Sequence, residues 1–241
     1  MSTAIGVEIL TLTIENREVC GSAGQTILEV AEENGIFIPT LCRFTGLSNI
    51  GACRMCLVEV KGSNKLMSAC VTQVQEGMEV TVNSDRLTEY RQLVLEMKFS
   101  ERNHTCSVCV TNGHCELQSL TQKLGIDHIE MPYIHPLLPV DASHPRFVAD
   151  HNRCILCTRC VRVCHEVEGA HTWDIMGRGI TARIISDLNT PWGESDTCTG
   201  CGKCVNACPT GALIEKGQAA GEMQKHRMFL PYLSMTRGVS K

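Results

Sequence analysis

Two runs of cysteines between residues 154 and 208 repeat one spacing, in which two, two and three residues separate four cysteines. The second run is followed directly by Pro209. This spacing is typical of proteins that hold two [4Fe–4S] clusters, where the fourth cysteine of each run binds the other cluster. Paired CxxC motifs also hold structural zinc, so zinc is the alternative. A zinc site, however, needs neither the third cysteine of a run nor the proline.

We therefore predict two [4Fe–4S] clusters with crossed ligand sets. One set is Cys154, Cys157, Cys160 and Cys208, and the other is Cys164, Cys198, Cys201 and Cys204. The first three cysteines of a run form a loop around one cluster. We expect the fourth cysteine to begin a helix that points away from this loop and so reaches the other cluster.

A second group of cysteines lies in the N-terminal part of the sequence, where ten, two and thirteen residues separate its four members. They are Cys42, Cys53, Cys56 and Cys70. Plant-type ferredoxins bind a [2Fe–2S] cluster with a CxxC pair and a remote cysteine, although their first interval is shorter. Gly46 and Gly51 would let the longer loop curl around the cluster with backbone N–H groups facing sulfur. We predict a [2Fe–2S] cluster here, with a zinc ribbon as the alternative.

A third group has only three cysteines, which are Cys106, Cys109 and Cys115. A [4Fe–4S] cluster takes four protein ligands, and imidazole can replace thiolate at iron, as Rieske centres show. His104 precedes the first cysteine by two residues, so we predict that it is the fourth ligand of a third [4Fe–4S] cluster. His114 and an open iron position are the alternatives.

These assignments account for fifteen of the sixteen cysteines and leave Cys20. Its position after a strand suggests a buried structural thiol, the usual fate of an unligated cysteine. Five arginines lie beside predicted ligands, namely Arg43, Arg54, Arg153, Arg159 and Arg162. Their charge would stabilise reduced, more negative clusters, and the alternative is ordinary surface charge.

The first 80 residues contain short elements that can position the N-terminal cysteines. Residues 7–14 are rich in β-formers and lead into a turn at Glu15 and Asn16. Thr26 and Glu29 have the spacing of a capping box, which predicts a helix over residues 26–34, and Gly35 is placed to end it. Short apolar runs predict further strands, which cover residues 57–61 and 79–82.

Residues 84–100 are predicted to form a helix whose buried face comprises Leu87, Tyr90, Val94 and Met97. Residues 173–185 suggest a hairpin with its turn at Gly177-Arg178-Gly179. The predicted fold class is α+β: an N-terminal β-grasp [2Fe–2S] ferredoxin-like domain, a short His/Cys3 [4Fe–4S] segment and a C-terminal two-[4Fe–4S] ferredoxin-like domain. The predicted divisions are residues 1–82, 83–125 (helix and His/Cys3 segment), 126–147 (connector), 148–216 and 217–241 (docking tail).

Composition and missing motifs exclude several functions. The net charge of −4 offers no basic surface for nucleic acid. No apolar run approaches the roughly 20 residues of a membrane span, and no signal peptide is apparent, so we expect a cytoplasmic protein without an integral membrane segment. The chain shows neither a dinucleotide-binding nor a P-loop motif. We therefore expect no flavin, no NAD and no catalytic residues in it, so hydride chemistry must belong to another chain.

The order of the cysteine groups and several short segments resemble a known family. The segments are residues 103–109, 113–118, 152–160, 167–174 and 177–179. Over residues 5–235, the chain resembles the small diaphorase (U) subunit of bidirectional NAD(P)-reducing [NiFe]-hydrogenases. It is also similar to the N-terminal iron–sulfur region of the respiratory NADH dehydrogenase large subunit and of [FeFe]-hydrogenases. The second complete cysteine run argues against the respiratory subunit, and the chain length argues against an [FeFe]-hydrogenase.

The resemblance implies an oxidoreductase subunit that relays single electrons. Its implied partners are a flavin- and NAD(P)-binding large diaphorase subunit and the small and large [NiFe]-hydrogenase subunits, with soluble ferredoxin or flavodoxin as a further candidate. Such a complex would catalyse reversible H2 and NAD(P)+ oxidoreduction, and partners could also attach it peripherally to a membrane. The alternatives are the equivalent subunit of an NAD-dependent formate dehydrogenase or NADH dehydrogenase complex and, more distantly, a zinc-bound interaction module.

Overall fold

The computed structural model describes residues 8–230 and divides the chain into two compact units. The first unit comprises Met1–Thr40 and Asn49–Val94, and the second comprises Leu41–Ser48 and Leu95–Lys241. Both units combine short helices and strands, so the described residues have the mixed α+β character that the sequence predicts.

The first unit contains a five-stranded sheet with a short helix packed on it, the arrangement of a β-grasp domain. The strands are β1 (Ile9–Ile14), β2 (Arg17–Ser22), β3 (Leu57–Val60), β4 (Met67–Ser68) and β5 (Glu79–Thr81), in the order β2-β1-β5-β3-β4. β1 and β5 pair in parallel, whereas the other pairs are antiparallel. The predicted turn at Glu15 and Asn16 is confirmed, since both have positive φ, as a tight hairpin requires.

The predicted capping box begins the helix α1 (Ile27–Glu33). The Glu29 N–H donates to Thr26 Oγ1, and the Thr26 N–H donates to a Glu29 carboxylate oxygen at 2.9 Å. Gly35 follows with φ of +68° and ends the helix as predicted. α1 buries Ile27, Leu28, Val30 and Ala31 in the core of the unit, beside Cys56 and Cys70.

The prediction that Cys20 is buried is wrong. Cys20 lies within β2, where Val19 and Gly21 are buried and Cys20 is exposed. Successive side chains of a strand point to opposite faces, so the burial of Val19 places Cys20 on the other face.

The long helix α2 (Asp85–Glu101) confirms the predicted helix but corrects its buried face. Leu87 and Leu95 are fully buried, whereas Tyr90 and Met97 are 43% and 45% exposed. Arg91 lies on the buried side, where its guanidinium donates to the backbone oxygens of Met55 and Leu57. The buried face of α2 therefore includes an arginine, which the spacing of apolar residues does not predict. Within residues 8–230 no helix, α2 included, has the length and apolar character needed to cross a bilayer.

The second unit is built from short elements around its cysteine loops. The helices are α3 (Glu116–Lys123), α4 (Arg159–Val163) and α5 (Lys203–Ala207); the strands are β6 (Val140–Asp141), β7 (Phe147–Asp150), β8 (Trp173–Met176), β9 (Arg183–Ser186) and β10 (Leu213–Glu215). β10, β7 and β6 form a sheet. β8 and β9 pair as an antiparallel hairpin around Gly177 and Gly179, which confirms that prediction.

An aromatic core supports the cysteine loops of the second unit. The rings of Phe147 and Trp192 stack with centroids 5.4 Å apart, and Trp173 meets Trp192 edge-on at 4.8 Å. The same buried cluster contains Val163 from α4 and Val205 from α5. The two short helices that carry cysteines are thus held by packing, because helices of five residues are not stable alone.

Candidate metal centres

One cavity of the second unit is lined by Cys154, Cys157, Cys160 and Cys208, together with Ile184 and Pro209 among others. All four cysteines are buried. The structure therefore brings the last cysteine of the second run to the first three cysteines of the first run. This is one of the two crossed sets that we predict for the [4Fe–4S] clusters.

A second cavity is lined by Cys164, Cys198, Cys201 and Cys204, together with Trp173 and Trp192 among others. These are the members of the other predicted set. The Trp192 indole N–H donates to Cys198 Sγ at 3.2 Å. Such a hydrogen bond to a ligand sulfur is one of the means by which proteins raise the potential of a bound cluster.

The helices that join the two cavities agree with the prediction for one run and not for the other. Cys164 directly follows α4 and, as expected, begins a further helical segment, of π type, over Cys164–Glu168, whereas Cys208 directly follows α5 and begins no helix. The third cysteines, Cys160 and Cys204, lie in the first turn of the same helices. Each helix therefore holds one ligand near its start and one at its end, separated by roughly one turn, and these ligands line different cavities.

A third cavity is lined by His104 with the three cysteines of the third group, Cys106, Cys109 and Cys115. Burial, with the charges of Arg153, Lys98 and Arg102, lowers the pKa of His104 to about 3. The folded imidazole is therefore neutral at ordinary pH, as a metal ligand must be.

One ring nitrogen of His104 makes no hydrogen bond with the described part of the chain. Its Nε2 is buried and has no hydrogen-bond partner within residues 8–230. Buried polar atoms nearly always have partners, so an atom without one calls for an explanation such as an unseen ion. His114, the alternative ligand, is exposed and does not line this cavity.

Gly211 is a residue of the third cavity that sequence reasoning missed. A Cβ atom at this position would lie 2.5 Å from Cys109 Sγ and 3.1 Å from Thr111 Oγ1. The one signal for Gly211 in the sequence is its position two residues after Pro209, close to the end of the second cysteine run.

We expect Gly211→Ala to displace Cys109 and to weaken or abolish the third cluster signal in electron paramagnetic resonance, with the other cluster signals retained. Ser119→Ala, an exposed change on α3, is the control. A third signal of full intensity and unchanged shape in Gly211→Ala would contradict the close approach seen here.

The N-terminal cysteines are divided between the two units. Cys53, Cys56 and Cys70 are buried in the first unit, and Cys42 is buried in the second. A hydrogen bond with Cys70, together with burial, raises the pKa of Cys56, and the same bond lowers that of Cys70 to about 7. The Gly51 backbone also hydrogen-bonds Cys70. Backbone N–H groups thus face sulfur here, as expected, and Gly51 has the positive φ that a tight curl requires.

The protonation of the buried thiols provides a test of whether these residues fit iron–sulfur clusters. Burial raises the pKa of Cys154 and Cys204 to about 12 and that of Cys115 to about 11. Thiolates are costly in such places unless a cation is near, and a bound metal deprotonates its thiols outright. The buried thiols and the Nε2 of His104, unpartnered among the described residues, are ligand types that iron–sulfur clusters take, with one protein ligand at each iron of a [4Fe–4S] cluster.

The five arginines beside predicted ligands do not share one role. Arg54 is exposed, whereas Arg159 and Arg162 are buried. Arg159 forms two 2.8 Å hydrogen bonds with the Glu116 carboxylate, and Arg162 donates to the backbone oxygens of Cys42 and Cys157. The surface interpretation therefore holds for Arg54, while the two buried arginines fix loops that carry cysteines.

Three family models match consecutive parts of the chain. They describe a "2Fe-2S iron-sulfur cluster binding domain" (residues 8–85), an "NADH-ubiquinone oxidoreductase-G iron-sulfur binding region" (91–130) and an "NADH-quinone oxidoreductase subunit 3, ferredoxin-like domain" (145–214). The chain is thus an iron–sulfur protein with one [2Fe–2S] domain and [4Fe–4S] binding regions, and the predicted fold class is confirmed.

The chain belongs to the family of the gamma subunit of NAD-reducing hydrogenase HoxS. It is 31% identical over 208 residues to that subunit from Cupriavidus necator, covering 86% of this chain and 87% of the relative. A chain in a crystal structure of NAD+-reducing [NiFe]-hydrogenase in the H2-reduced state superposes with a TM-score of 0.82 at 36% identity, covering 87% and 88% of the two chains. The resemblance stated from the sequence is confirmed.

Longer relatives contain the same region. The alpha subunit of NADPH-Fe(3+) oxidoreductase from Geobacter sulfurreducens is 38% identical over 208 residues, which cover 86% of this chain. The match spans only about a quarter of that relative's length. A region similar to this chain therefore also occurs within a longer subunit of another kind of oxidoreductase.

Proposed function

We propose that this chain is the iron–sulfur subunit that relays single electrons between a flavin- and NAD(P)H-binding diaphorase subunit and the small and large subunits of a [NiFe]-hydrogenase. The observation that carries the proposal is the set of three cavities in the second unit, each lined by one predicted set of four ligands. The choice of complex is supported by the similarity to the HoxS gamma subunit, which covers 86% of this chain and 87% of that subunit.

The proposed complement is one [2Fe–2S] and three [4Fe–4S] clusters. The [2Fe–2S] ligands are Cys42, Cys53, Cys56 and Cys70, a choice that rests on their spacing and on the family match over residues 8–85. The [4Fe–4S] ligand sets are His104, Cys106, Cys109 and Cys115; Cys154, Cys157, Cys160 and Cys208; and Cys164, Cys198, Cys201 and Cys204. When bound, the clusters accept and donate single electrons. The chain's own residues hold them, shield them from water and set the charge around them.

The reactions of H2 and NAD(P)+ take place on the partner subunits in this proposal, and this chain supplies no catalytic residue. Soluble ferredoxin or flavodoxin is a further candidate donor or acceptor. We assign the protein to the cytoplasm, because reduced thiols at this density suit a reducing compartment.

A second candidate is the equivalent role in another NAD(P)-linked oxidoreductase, such as a formate dehydrogenase or NADH dehydrogenase complex. The match to part of a longer NADPH-Fe(3+) oxidoreductase subunit favours keeping this candidate. Anaerobic affinity purification, followed by identification of the partner chains and their metals, separates the two. A nickel-containing partner supports the hydrogenase, whereas a nickel-free complex that oxidises formate or NADH supports the second candidate.

Metal analysis tests the clusters themselves. We expect about 14 iron atoms per chain and an equal amount of acid-labile sulfide in anaerobically purified protein, since one two-iron and three four-iron clusters require this amount. Colourless protein with about three or four zinc ions and no iron, after normal cluster assembly in the host, would contradict the proposal and support a zinc-bound interaction module.

A further inference from the structure

Lys225, near the end of the described chain, places its ammonium group against the loop that contains Cys208. Its Nζ donates to the backbone oxygens of Val205, Thr210 and Leu213 at 3.0, 2.8 and 2.7 Å. Thr210 and Leu213 also line the cavity of Cys154, Cys157, Cys160 and Cys208. The ammonium group therefore lies directly behind one wall of that cavity.

The three hydrogen bonds favour the charged form of Lys225, although burial lowers the pKa of its ammonium group. A lysine donates three hydrogen bonds only as the protonated ammonium, because the neutral amine has two N–H groups. All three acceptors are uncharged carbonyl oxygens. None of the ion pairs formed within residues 8–230 includes Lys225, whereas Lys203 pairs with Glu168 and Lys61 with Glu79. Among the described residues, no carboxylate therefore forms an ion pair with the Lys225 ammonium.

The segment that carries Lys225 is fixed on both sides. The Gly221 and Met223 N–H groups donate to the backbone oxygens of Cys109 and Val110, and the Met223 side chain is buried. After Lys225, the His226 N–H donates to Asn206 Oδ1 and the Arg227 guanidinium donates to the Cys208 oxygen. The charge therefore has a set position and does not depend on a mobile side chain.

The charge lies close to one predicted ligand. The Cys208 side chain contacts the Thr210 backbone oxygen at 3.3 Å, and Lys225 Nζ donates to the same oxygen at 2.8 Å. A cation that favours a thiolate also favours any added negative charge at the same place. A [4Fe–4S] cluster gains one negative charge when it accepts an electron.

We propose that Lys225 is an electrostatic positioning residue that raises the reduction potential of the cluster bound by Cys154, Cys157, Cys160 and Cys208. The inference rests on the proposed function, because it requires a cluster at that site. It assigns a role to one residue of the C-terminal segment, for which the sequence predicts only docking. No other cluster should share the effect to the same degree, because Coulomb interaction weakens with distance.

The test compares variants of the full chain, each purified anaerobically with its partners. The midpoint potential of each cluster is measured by redox titration, with electron paramagnetic resonance as the readout. We expect Lys225→Met to shift the midpoint potential of one [4Fe–4S] cluster to a more negative value. The other clusters should keep their potentials, and Lys225→Arg should remain near the wild-type value because it retains the charge. The matched control is Lys216→Met, since Lys216 is exposed and its Nζ donates to a carbonyl oxygen, that of Ala142.

Unchanged potentials in a Lys225→Met protein with full iron content would overturn the inference and leave the proposed function intact. Iron-free wild-type protein would overturn the proposed function itself. Methionine removes the hydrogen bonds as well as the charge, so Lys225→Met could lose the cluster. Lys225→Gln, which removes the charge but keeps an N–H donor, is therefore measured in parallel and provides the test in that case. A more negative potential in Lys225→Gln supports the inference, and a wild-type potential in that variant overturns it.

Discussion

Cys204→Ser is expected to remove one [4Fe–4S] cluster and to stop electron transfer through the complex. Cys204 lies in the first turn of α5, is buried, and lines the cavity with Cys164, Cys198 and Cys201. Serine offers a hydroxyl of much higher pKa, which is a poor substitute for thiolate at iron. The iron content should fall from about 14 to about 10 atoms per chain, because the other three clusters keep complete ligand sets.

Three measurements check this result: total iron, the electron paramagnetic resonance spectrum, and H2-dependent NAD(P)+ reduction by the purified complex. One [4Fe–4S] signal should disappear, and the [2Fe–2S] signal should persist. The matched control is Cys20→Ser, since Cys20 is exposed on β2 and belongs to no predicted ligand set. If Cys204→Ser kept every signal and full activity, our assignment of this ligand set would be wrong.

His104→Ala is expected to change or abolish the signal of the third cluster. Its Nε2 is the buried nitrogen without a hydrogen-bond partner, and the ring packs edge-on against Phe99 with centroids 5.1 Å apart. Alanine would leave an iron without its fourth protein ligand and open the cavity beside Cys106. We expect loss of up to about four iron atoms per chain, with the signals of the other clusters unchanged.

Two further variants sharpen this test. His114→Ala should leave the spectrum unchanged, because His114 is exposed. His104→Cys should retain a cluster but with a lower potential, since thiolate adds the negative charge that imidazole lacks. An unchanged third signal in His104→Ala, combined with a changed one in His114→Ala, would transfer the ligand role to His114.

The crossed placement of the two fourth cysteines could be predicted from the sequence because cluster geometry restricts ligand spacing so strongly. The short loop over Cys154, Cys157 and Cys160 leaves the fourth cysteine, Cys164, out of reach. The structure places Cys164 in the other cavity, beside Cys198. The local signals of the N-terminal fold were equally direct, since the Thr26 capping box and the Glu15 turn depend only on neighbouring residues.

The predicted buried face of α2 was wrong because burial there depends on partners distant in sequence. Arg91 is polar by type, yet the carbonyl oxygens of Met55 and Leu57 allow it to be buried in place of Tyr90. The sequence could not suggest the role that we propose for Lys225 for the same reason, because its three acceptors are backbone atoms 12 to 20 residues away. The pattern of side chains in a sequence does not predict where a backbone oxygen of another segment will lie.

The exchange of ligands between the two runs also orders events during biosynthesis. Cys164 leaves the ribosome long before the three cysteines with which it shares a cavity, and Cys208 leaves last although it completes the other cavity. The cavity of Cys164 has all its cysteines only once residue 204 has been made, and the other cavity only at residue 208. We therefore expect neither cluster to assemble before the second run is synthesised, and a chain truncated between the runs to hold neither.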